Sequence, residues 1–273
     1  MKKSKKKQLQ IYMAVWFMAS CFACPMGISA AGNGMLDNMT LPTGGTFISG
    51  SGTILANALS DAQKNGVMDV KQDGANAVIS WEDFSIGANA QVNFAGNDGG
   101  AFSVLNYVTG GNTSQIYGKM NAASNGSIYL VNPNGVQIGN SAEINVGSLY
   151  VSNKKLDDAQ LVAMGQGNMA EKLSQISTTS NAELMSLGYI DATKVTFDGD
   201  RVVIDMDRLN QKTQGNFDLA IQRNNASDAD FNMVLGTSQT GLGGLNFLSM
   251  EVKFKIPVTI PILGFITEKN YKT

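Results

Sequence analysis

The stretch from Ser127 to Asn153 repeats one arrangement of apolar side chains at a fixed step. The repeating unit is two apolar residues separated by one other residue, and the first three units start eight residues apart. The units are Ile128 with Leu130, Val136 with Ile138, Ile144 with Val146, and Leu149 with Val151. Alternation of this kind is typical of short β-strands that bury one face. Strands this short cannot form a core singly, so they must stack on other strands.

The segments between these strands consist of residues that form tight turns. They are Asn132-Pro133-Asn134-Gly135, Gly139-Asn140-Ser141 and Gly147. Such turns are too short to contain the helical crossover of an ordinary parallel sheet. We therefore predict an all-β solenoid, in which each coil of short strands pairs with the coils on either side of it. A content of 30 glycines against 5 prolines, with 15% charged residues, is typical of such a turn-rich chain.

Two motifs in and before this stretch carry a family resemblance. The motifs are NPNGVQIGNSAEINVGSLYVSN at 132–153 and NYVTGGNTSQIYGKM at 106–120. Together they resemble the haemagglutination-activity, or two-partner secretion, domain at the N-terminus of filamentous-haemagglutinin-type exoproteins. The resemblance runs from about Leu41 to Asn153, with a weaker continuation through 195–209. It implies a single-stranded right-handed parallel β-helix that a dedicated outer-membrane transporter of the TpsB type recognises through its periplasmic docking domains.

The resemblance also marks the residues of a candidate secretion motif. They are Asn106, Gly110, Gly111, Ser114, Ile116, Gly118, Asn132, Pro133, Asn134, Gly135, Ile144, Asn145, Val146 and Gly147. In the four residues from Asn132 to Gly135, asparagine can bond to its neighbouring backbone, proline fixes φ, and glycine accepts a positive φ. We expect this corner to act in secretion mainly by fixing a structure that the transporter recognises, rather than by one side-chain contact.

The N-terminus has the three parts of a secretory signal peptide. Five lysines precede an apolar run from Leu9 to about Met26, and small residues follow up to Ala31. We predict export through the Sec machinery and cleavage by signal peptidase after Ala31. An uncleaved membrane anchor and a lipoprotein signal at Cys21 are the alternatives. The predicted domains are a signal peptide at 1–31, a secretion β-helix at 32–209, and further coils or a loosely ordered end at 210–273.

Removal of the signal peptide changes the charge of the chain. Residues 1–31 contain five of the 20 basic residues and none of the 22 acidic ones, which leaves a formal charge of −7. This charge argues against nucleic acid as a partner. Both cysteines, Cys21 and Cys24, are lost with the signal, so the mature chain has no disulfide to form.

Outside the repeated stretch, three further features are predicted. Short strands between Leu41 and Leu55 should cap the N-terminal end of the solenoid. Trp81 should lie inside the coil. The residues from Lys154 to Ser177 have apolar side chains at approximately helical spacing, interrupted by two glycines, and should form a short helical or irregular excursion on the outside.

Catalysis would have to rely on carboxylates, because the chain contains no histidine and the mature chain no cysteine. The acidic candidates are Asp157 with Asp158, Asp198 with Asp200 beside Arg201, and Asp205 with Asp207 beside Arg208. These pairs leave open a secreted β-helix polysaccharide lyase or hydrolase. The simpler interpretation is a turn at 198–200 and a solvated strand face at 205–207. We predict no enzyme, no cofactor and no metal site. The family resemblance further implies a secreted or cell-surface protein that acts in adhesion, with a host or neighbouring-cell surface as a partner.

Overall fold

The computed structural model describes residues 36–56, 66–177, 180–199, 201–205 and 208, and the backbone of 217–222, 232–236 and 250–255. In chain order the strands are β1 Thr46–Ser49, β2 Gly52–Ala56, β3 Val67–Gln72, β4 Asn76–Trp81, β5 Gln91–Ala95, β6 Phe102–Val108, β7 Ser114–Ile116, β8 Lys119–Ala122, β9 Gly126–Val131, β10 Val136–Ile138, β11 Glu143–Asn145, β12 Ser148–Ser152, β13 Glu183–Ser186, β14 Tyr189–Asp191, β15 Lys194–Asp198, β16 Arg201–Asp205, β17 Phe217–Gln222, β18 Asn232–Gly236 and β19 Met250–Lys255. Two helices, α1 Asp158–Met164 and α2 Met169–Gln175, lie between β12 and β13.

The strands form three sheets that run along the molecule. Sheet I has the order β1-β4-β6-β9-β12-β15-β17-β19, sheet II the order β2-β3-β5-β8-β11-β14, and sheet III the order β7-β10-β13-β16-β18. The chain visits sheets I, III and II in turn, as in β6-β7-β8 and then β9-β10-β11. Each such coil pairs in parallel with the next one. The structure therefore confirms the predicted parallel β-helix.

The inward side chains stack from coil to coil. Ile128 pairs in register with Val104 of the coil before and Leu149 of the coil after, and all three are at most 2% exposed. The four apolar pairs of the repeat all lie in this single core. Burial of one large apolar side chain contributes roughly 1.5–3 kcal/mol, so stacking supplies the stability that a single short strand lacks. Trp81, 1% exposed, also lies inside as predicted.

The N-terminal end of the solenoid is closed by strands of opposite direction. Strand β1 pairs antiparallel with β4, and β2 pairs antiparallel with β3, although the pairs behind them are parallel. These are the capping strands predicted between Leu41 and Leu55. They occupy the outermost positions of sheets I and II, where unpaired parallel strands would otherwise present open edges.

The excursion predicted after Lys154 consists of α1 and α2, which pack on the outer face of sheet I. Helix α1 begins with a capping box in which Asp157 Oδ1 accepts from Gln160 N–H at 2.8 Å and Gln160 Oε1 accepts from Asp157 N–H at 2.9 Å. The helices and this outer face form a second apolar cluster, made of Val78, Leu105, Tyr107, Val131, Tyr150, Leu156, Leu161, Met164, Met169 and Leu173. The strands β4, β6, β9 and β12 of sheet I are therefore buried on both faces, a feature not predicted from the sequence.

Several predictions concern residues outside the described ranges. These include the signal peptide at 1–31 and the end of the chain after 255, and the division into domains stays a prediction. Among the described residues, neither helix is long and apolar enough to cross a membrane.

Candidate functional site

Asn132 holds the predicted corner together. It directly follows β9, and its side chain is fully buried. Its Nδ2 donates to the carbonyl oxygen of Asn112 and to Oγ of Ser114, both at 2.9 Å. Its Oδ1 accepts from the N–H of Asn134, and its carbonyl oxygen accepts from the N–H of Gly135, both at 2.9 Å. Residues 132–135 are therefore a hydrogen-bonded turn whose first side chain also binds it to the preceding coil.

Asn134 is the exposed residue of the corner. Its Nδ2 donates to the carbonyl oxygen of Gly110 at 2.8 Å, and its own carbonyl oxygen accepts from Thr113 Oγ1 at 2.8 Å. The next residue, Gly135, has φ of +94°, a value that a β-branched residue adopts only under strain. A Cβ atom there would also lie 2.6 Å from the carbonyl oxygen of Glu183.

The chain that returns from the helical excursion covers the other side of the corner. Ser180 Oγ donates to the carbonyl oxygen of Pro133 at 2.6 Å. Asn153 occupies the position after β12 that Asn132 occupies after β9, and its Nδ2 donates to the carbonyl oxygen of Ala182 at 2.7 Å. The corner is thus enclosed between residues 110–114 and 180–183. Neither Asn153 nor the returning segment was predicted from the sequence, although Leu130-Val131-Asn132 and Val151-Ser152-Asn153 both place an asparagine directly after the strand.

The glycines of the candidate motif differ in how closely they are packed. A Cβ at Gly110 would collide with the carbonyl oxygen of Glu82, one at Gly118 with that of Ala90, and one at Gly147 with that of Ser124. At Gly111 a Cβ would meet nothing within 4 Å. Three of these glycines therefore allow close approach of neighbouring coils, while Gly111 is free of that constraint.

Asn106 lies inside the coil, within strand β6, and not at the corner. Strand β6 continues to Val108, so the turn is confined to residues 109–113. Asn106 replaces an apolar side chain in the inward row, where its Oδ1 accepts from Trp81 Nε1–H at 3.0 Å and its Nδ2 donates to the carbonyl oxygen of Tyr129 at 3.1 Å. It is fully buried. Its role is to satisfy the indole N–H within the core.

The remaining motif residues divide between the core and one outer face. Ile116, Ile144 and Val146 belong to the core. Asn145 lies on the outer face of sheet II, in a row of side chains that bond from coil to coil. In this row Asn145 Nδ2 donates to Asn121 Oδ1 at 3.4 Å, Asn121 Nδ2 to Asn93 Oδ1 at 3.1 Å, and Asn93 Nδ2 to Asp69 Oδ1 at 2.8 Å. The structure therefore brings together only Gly110, Ser114 and the corner itself.

The acidic candidates do not converge on one site in the described part of the chain. Asp157 caps α1, and Asp205 ends β16. Within the described residues there is no group of three or more histidine, cysteine, aspartate or glutamate side chains that could hold a metal ion.

Asp198 does not belong to the turn predicted at 198–200 but to strand β15. It ends β15 fully buried, with its Oδ2 2.6 Å from Lys154 Nζ, and it accepts a short hydrogen bond from the Tyr150 hydroxyl. Burial, and then the charge of Asp198, raise the pKa of Tyr150 far above its usual value. Burial likewise raises the pKa of Tyr107, whose hydroxyl bonds to the backbone of Leu156. The sequence does not distinguish the buried Lys154 from the exposed Lys155 that follows it.

Comparison with known proteins gives three similarities. The model of the family described as "TPS secretion domain" matches residues 40–227. Two proteins named heme/hemopexin-binding protein, both from Haemophilus influenzae, are similar to this chain. One is 36% identical over 60% of this chain and 19% of its own length. The other is 46% identical over 33% of this chain and 9% of its own length. The chain thus spans about a fifth or less of these relatives. The crystal structure of the HMW1 secretion domain from Haemophilus influenzae is 21% identical, with a TM-score of 0.48 over 66% of this chain and 42% of that one.

Proposed function

This chain belongs to the TPS secretion domain family, and from that membership we propose that it is the segment of an exoprotein that a TpsB-type outer-membrane transporter recognises and exports. The transporter's periplasmic docking domains are the direct partner. Delivery to them requires the Sec machinery and removal of residues 1–31 by signal peptidase. The product reaches the cell surface or the medium. Secretion domains are not enzymes, so the polysaccharide lyase or hydrolase is set aside.

The enclosure of the Asn132–Gly135 corner carries the more detailed proposal. In the folded domain the Asn132 side chain is buried and the corner contacts coils on both sides, so that Asn134 is exposed, Pro133 is half-buried and the rest of the corner is covered. A transporter that needs the whole corner must therefore meet the chain before β13 has paired. Strand addition to the docking domains suits an unfolded chain, because backbone hydrogen bonds give affinity and alternate side chains give specificity.

Folding outside the cell supplies a drive for export in this scheme. Each new coil adds paired strands and buries an inward apolar row, and it needs contact only with the coil before it. The corner contributes by closing one coil in the geometry that the next coil requires. Its effect on secretion therefore operates through folding.

Adhesion is the role that we propose for the exported protein. Its support is the resemblance of the 106–120 and 132–153 motifs to haemagglutination-activity domains. A strain that lacks this protein should attach less to host or neighbouring cells than its parent, and full attachment by that strain would contradict the adhesion role without affecting the secretion role.

The secretion proposal is tested with substitutions in the corner and one matched control. Gly135→Val should lower both the thermal stability of the purified domain and its extracellular yield, because valine at φ of +94° is strained and its Cβ would meet Glu183. Asn134→Ala should have a smaller effect on both. Ile144→Asp, which buries an unpaired charge in the core, should abolish both. Gly111→Ala is the control, since its Cβ has open space.

The measurements are extracellular and periplasmic amounts of each variant in cells with and without the transporter, with melting temperatures of the purified variants. Yield should follow stability across the series. If Asn134→Ala keeps normal stability yet alone blocks export, the corner is a direct contact site and the structural role is wrong. If none of the variants depends on the transporter for export, the partner is wrong.

A further inference from the structure

Lys154 and Asp198 form a buried ion pair between two neighbouring coils of sheet I. Lys154 follows β12 and Asp198 ends β15, and the two side chains have no exposed surface. The distance from Lys154 Nζ to Asp198 Oδ2 is 2.6 Å. Lys154 Nζ also donates to the carbonyl oxygen of Leu173 in α2 at 2.7 Å, and the Tyr150 hydroxyl donates to the same aspartate oxygen. The pair thus joins β12, β15 and the helical excursion at one point.

The position of Asp198 is one of a row that crosses sheet I from strand to strand. In register the row contains Ser80, Tyr107, Val131, Ser152, Asp198, Gln222 and Lys255. Asp198 is the one carboxylate in this row. If β17 paired with β12 in place of β15, Lys154 would face Gln222. If β19 took that place, Lys154 would face Lys255.

Apolar burial alone does not specify which coil follows the excursion. The inward residues of β15 are Val195 and Phe197, and the equivalent residues of β17 are Leu219 and Ile221. A chain that had left the solenoid after β12 could therefore resume with either strand.

Sheet III makes the competing arrangement more favourable still. Strand β13 places Ser186 in the same inward row as Ile138 of β10, whereas β16 places Ile204 there. Ser186 is fully buried, and its Oγ has no hydrogen-bond partner among the described residues. By hydrophobic matching, β16 would be the better neighbour of β10, and β17 would then follow beside β12.

We propose that the Lys154–Asp198 pair is a strand selector, which makes β15 the neighbour of β12 and so excludes an arrangement that skips one coil. In the skipped arrangement Asp198 is no longer beside Lys154, so the lysine is buried without a carboxylate. An uncompensated buried charge of this kind is strongly destabilising. Fixing register is the best supported use of buried polar and ionic pairs. Such an element lowers the stability of the wrong arrangement more than it raises that of the right one.

The test uses cysteine pairs as reporters of the two arrangements in the full chain, with Cys21 and Cys24 replaced by serine. Ser148 of β12 is the register partner of Lys194 in β15, and Asp218 of β17 has the equivalent position one coil later. Ser148→Cys with Lys194→Cys reports the native neighbour. Ser148→Cys with Asp218→Cys reports the skipped coil. Each reporter is refolded under oxidising conditions, and its disulfide is quantified by peptide mapping.

Three backgrounds decide the outcome. With the native pair, only the Ser148–Lys194 disulfide should form. In Lys154→Met with Asp198→Asn, where Asn still offers an acceptor to the Tyr150 hydroxyl, the Ser148–Asp218 disulfide should rise by about tenfold or more. The variant Asp198→Asn with Gln222→Asp keeps the lysine and moves the carboxylate one coil later. In this variant the Ser148–Asp218 disulfide should become the main product.

The control is Lys119→Met with Glu143→Gln, which removes the exposed ion pair on sheet II and should change neither disulfide. Exclusive formation of the native disulfide in both altered backgrounds would overturn the proposal. If the neutral variant fails to fold and gives neither disulfide, the variant with the moved carboxylate decides the question, because it retains a charge partner for Lys154.

Discussion

Tyr150 is a buried side chain whose chemistry differs between the folded and the unfolded chain. Its hydroxyl donates to Asp198, and burial followed by the aspartate charge raises its pKa far above the usual value of about 10. Folded Tyr150 therefore keeps its proton at a pH where the unfolded residue loses it. The stability that this difference contributes is complete below about pH 10 and is lost as the pH rises above that value.

The prediction is that Tyr150→Phe reduces the alkaline loss of stability. Above about pH 10 each tyrosine that remains protonated only in the folded state lowers the free energy of unfolding by about 1.4 kcal/mol per pH unit. The difference in free energy of unfolding between the parent and Tyr150→Phe should therefore stay constant between pH 7 and 9. Above about pH 10 it should shrink by about 1.4 kcal/mol per pH unit. Urea unfolding across pH 7 to 11 measures it, and parallel curves for the two proteins over the whole range would contradict it.

Individual residues also show where sequence reasoning reaches its limit. The turn at Asn132–Gly135 was predictable, because each of its residues has a local conformational preference. The contact between Pro133 and Ser180 was not, because it joins residues 47 positions apart across the excursion. For Asp198, the sequence Asp-Gly-Asp resembles a turn locally, and only the stacking of β12 and β15 shows that the first aspartate is buried.

At the scale of elements, α1 and α2 are short helices that depend on packing for their stability. Each has seven residues, which is too few for a stable isolated helix in water. Their buried side chains rest on the outward residues of sheet I. Segments such as Ile128–Val131 indicate in the sequence that the outer face of sheet I is covered. They are continuous apolar runs, and a strand buried on both faces does not alternate.

Leu173→Ala and Val162→Ala should separate the packed from the exposed side of the helices. Leu173 is 0% exposed and Val162 is 51% exposed. We expect Leu173→Ala to lower the free energy of unfolding by about 2–5 kcal/mol and Val162→Ala to change it by less than about 0.5 kcal/mol. Hydrogen exchange of the α1 and α2 amides, with urea unfolding, checks both values. Equal effects of the two substitutions would mean that the helices do not pack on sheet I.

Across the whole molecule, stability should be distributed along one dimension. Each coil pairs only with its neighbours in the sheets, so a defect should weaken the adjacent coils most. Leu130→Ala in β9 should lower the free energy of unfolding by about 2–5 kcal/mol. The largest loss of hydrogen-exchange protection should occur in β6, β9 and β12, and the loss should be small at β2 and smallest at β19.

Leu55→Ala is the matched control for this gradient, because Leu55 is 55% exposed on the capping strand β2. It should leave protection in the central coils unchanged. Uniform loss of protection along the solenoid after Leu130→Ala would show instead that the domain unfolds as one cooperative unit.

The reversed direction of β1 and β2 gives the molecule a polarity like that of a filament with one blocked end. An incoming chain with parallel strands finds a matching template only at the end of the solenoid away from these two strands. Length can therefore accumulate in one direction only. Two copies that meet through their N-terminal ends cannot continue a common parallel lattice, so a chain released at high local concentration is protected on that side from fusing into fibres.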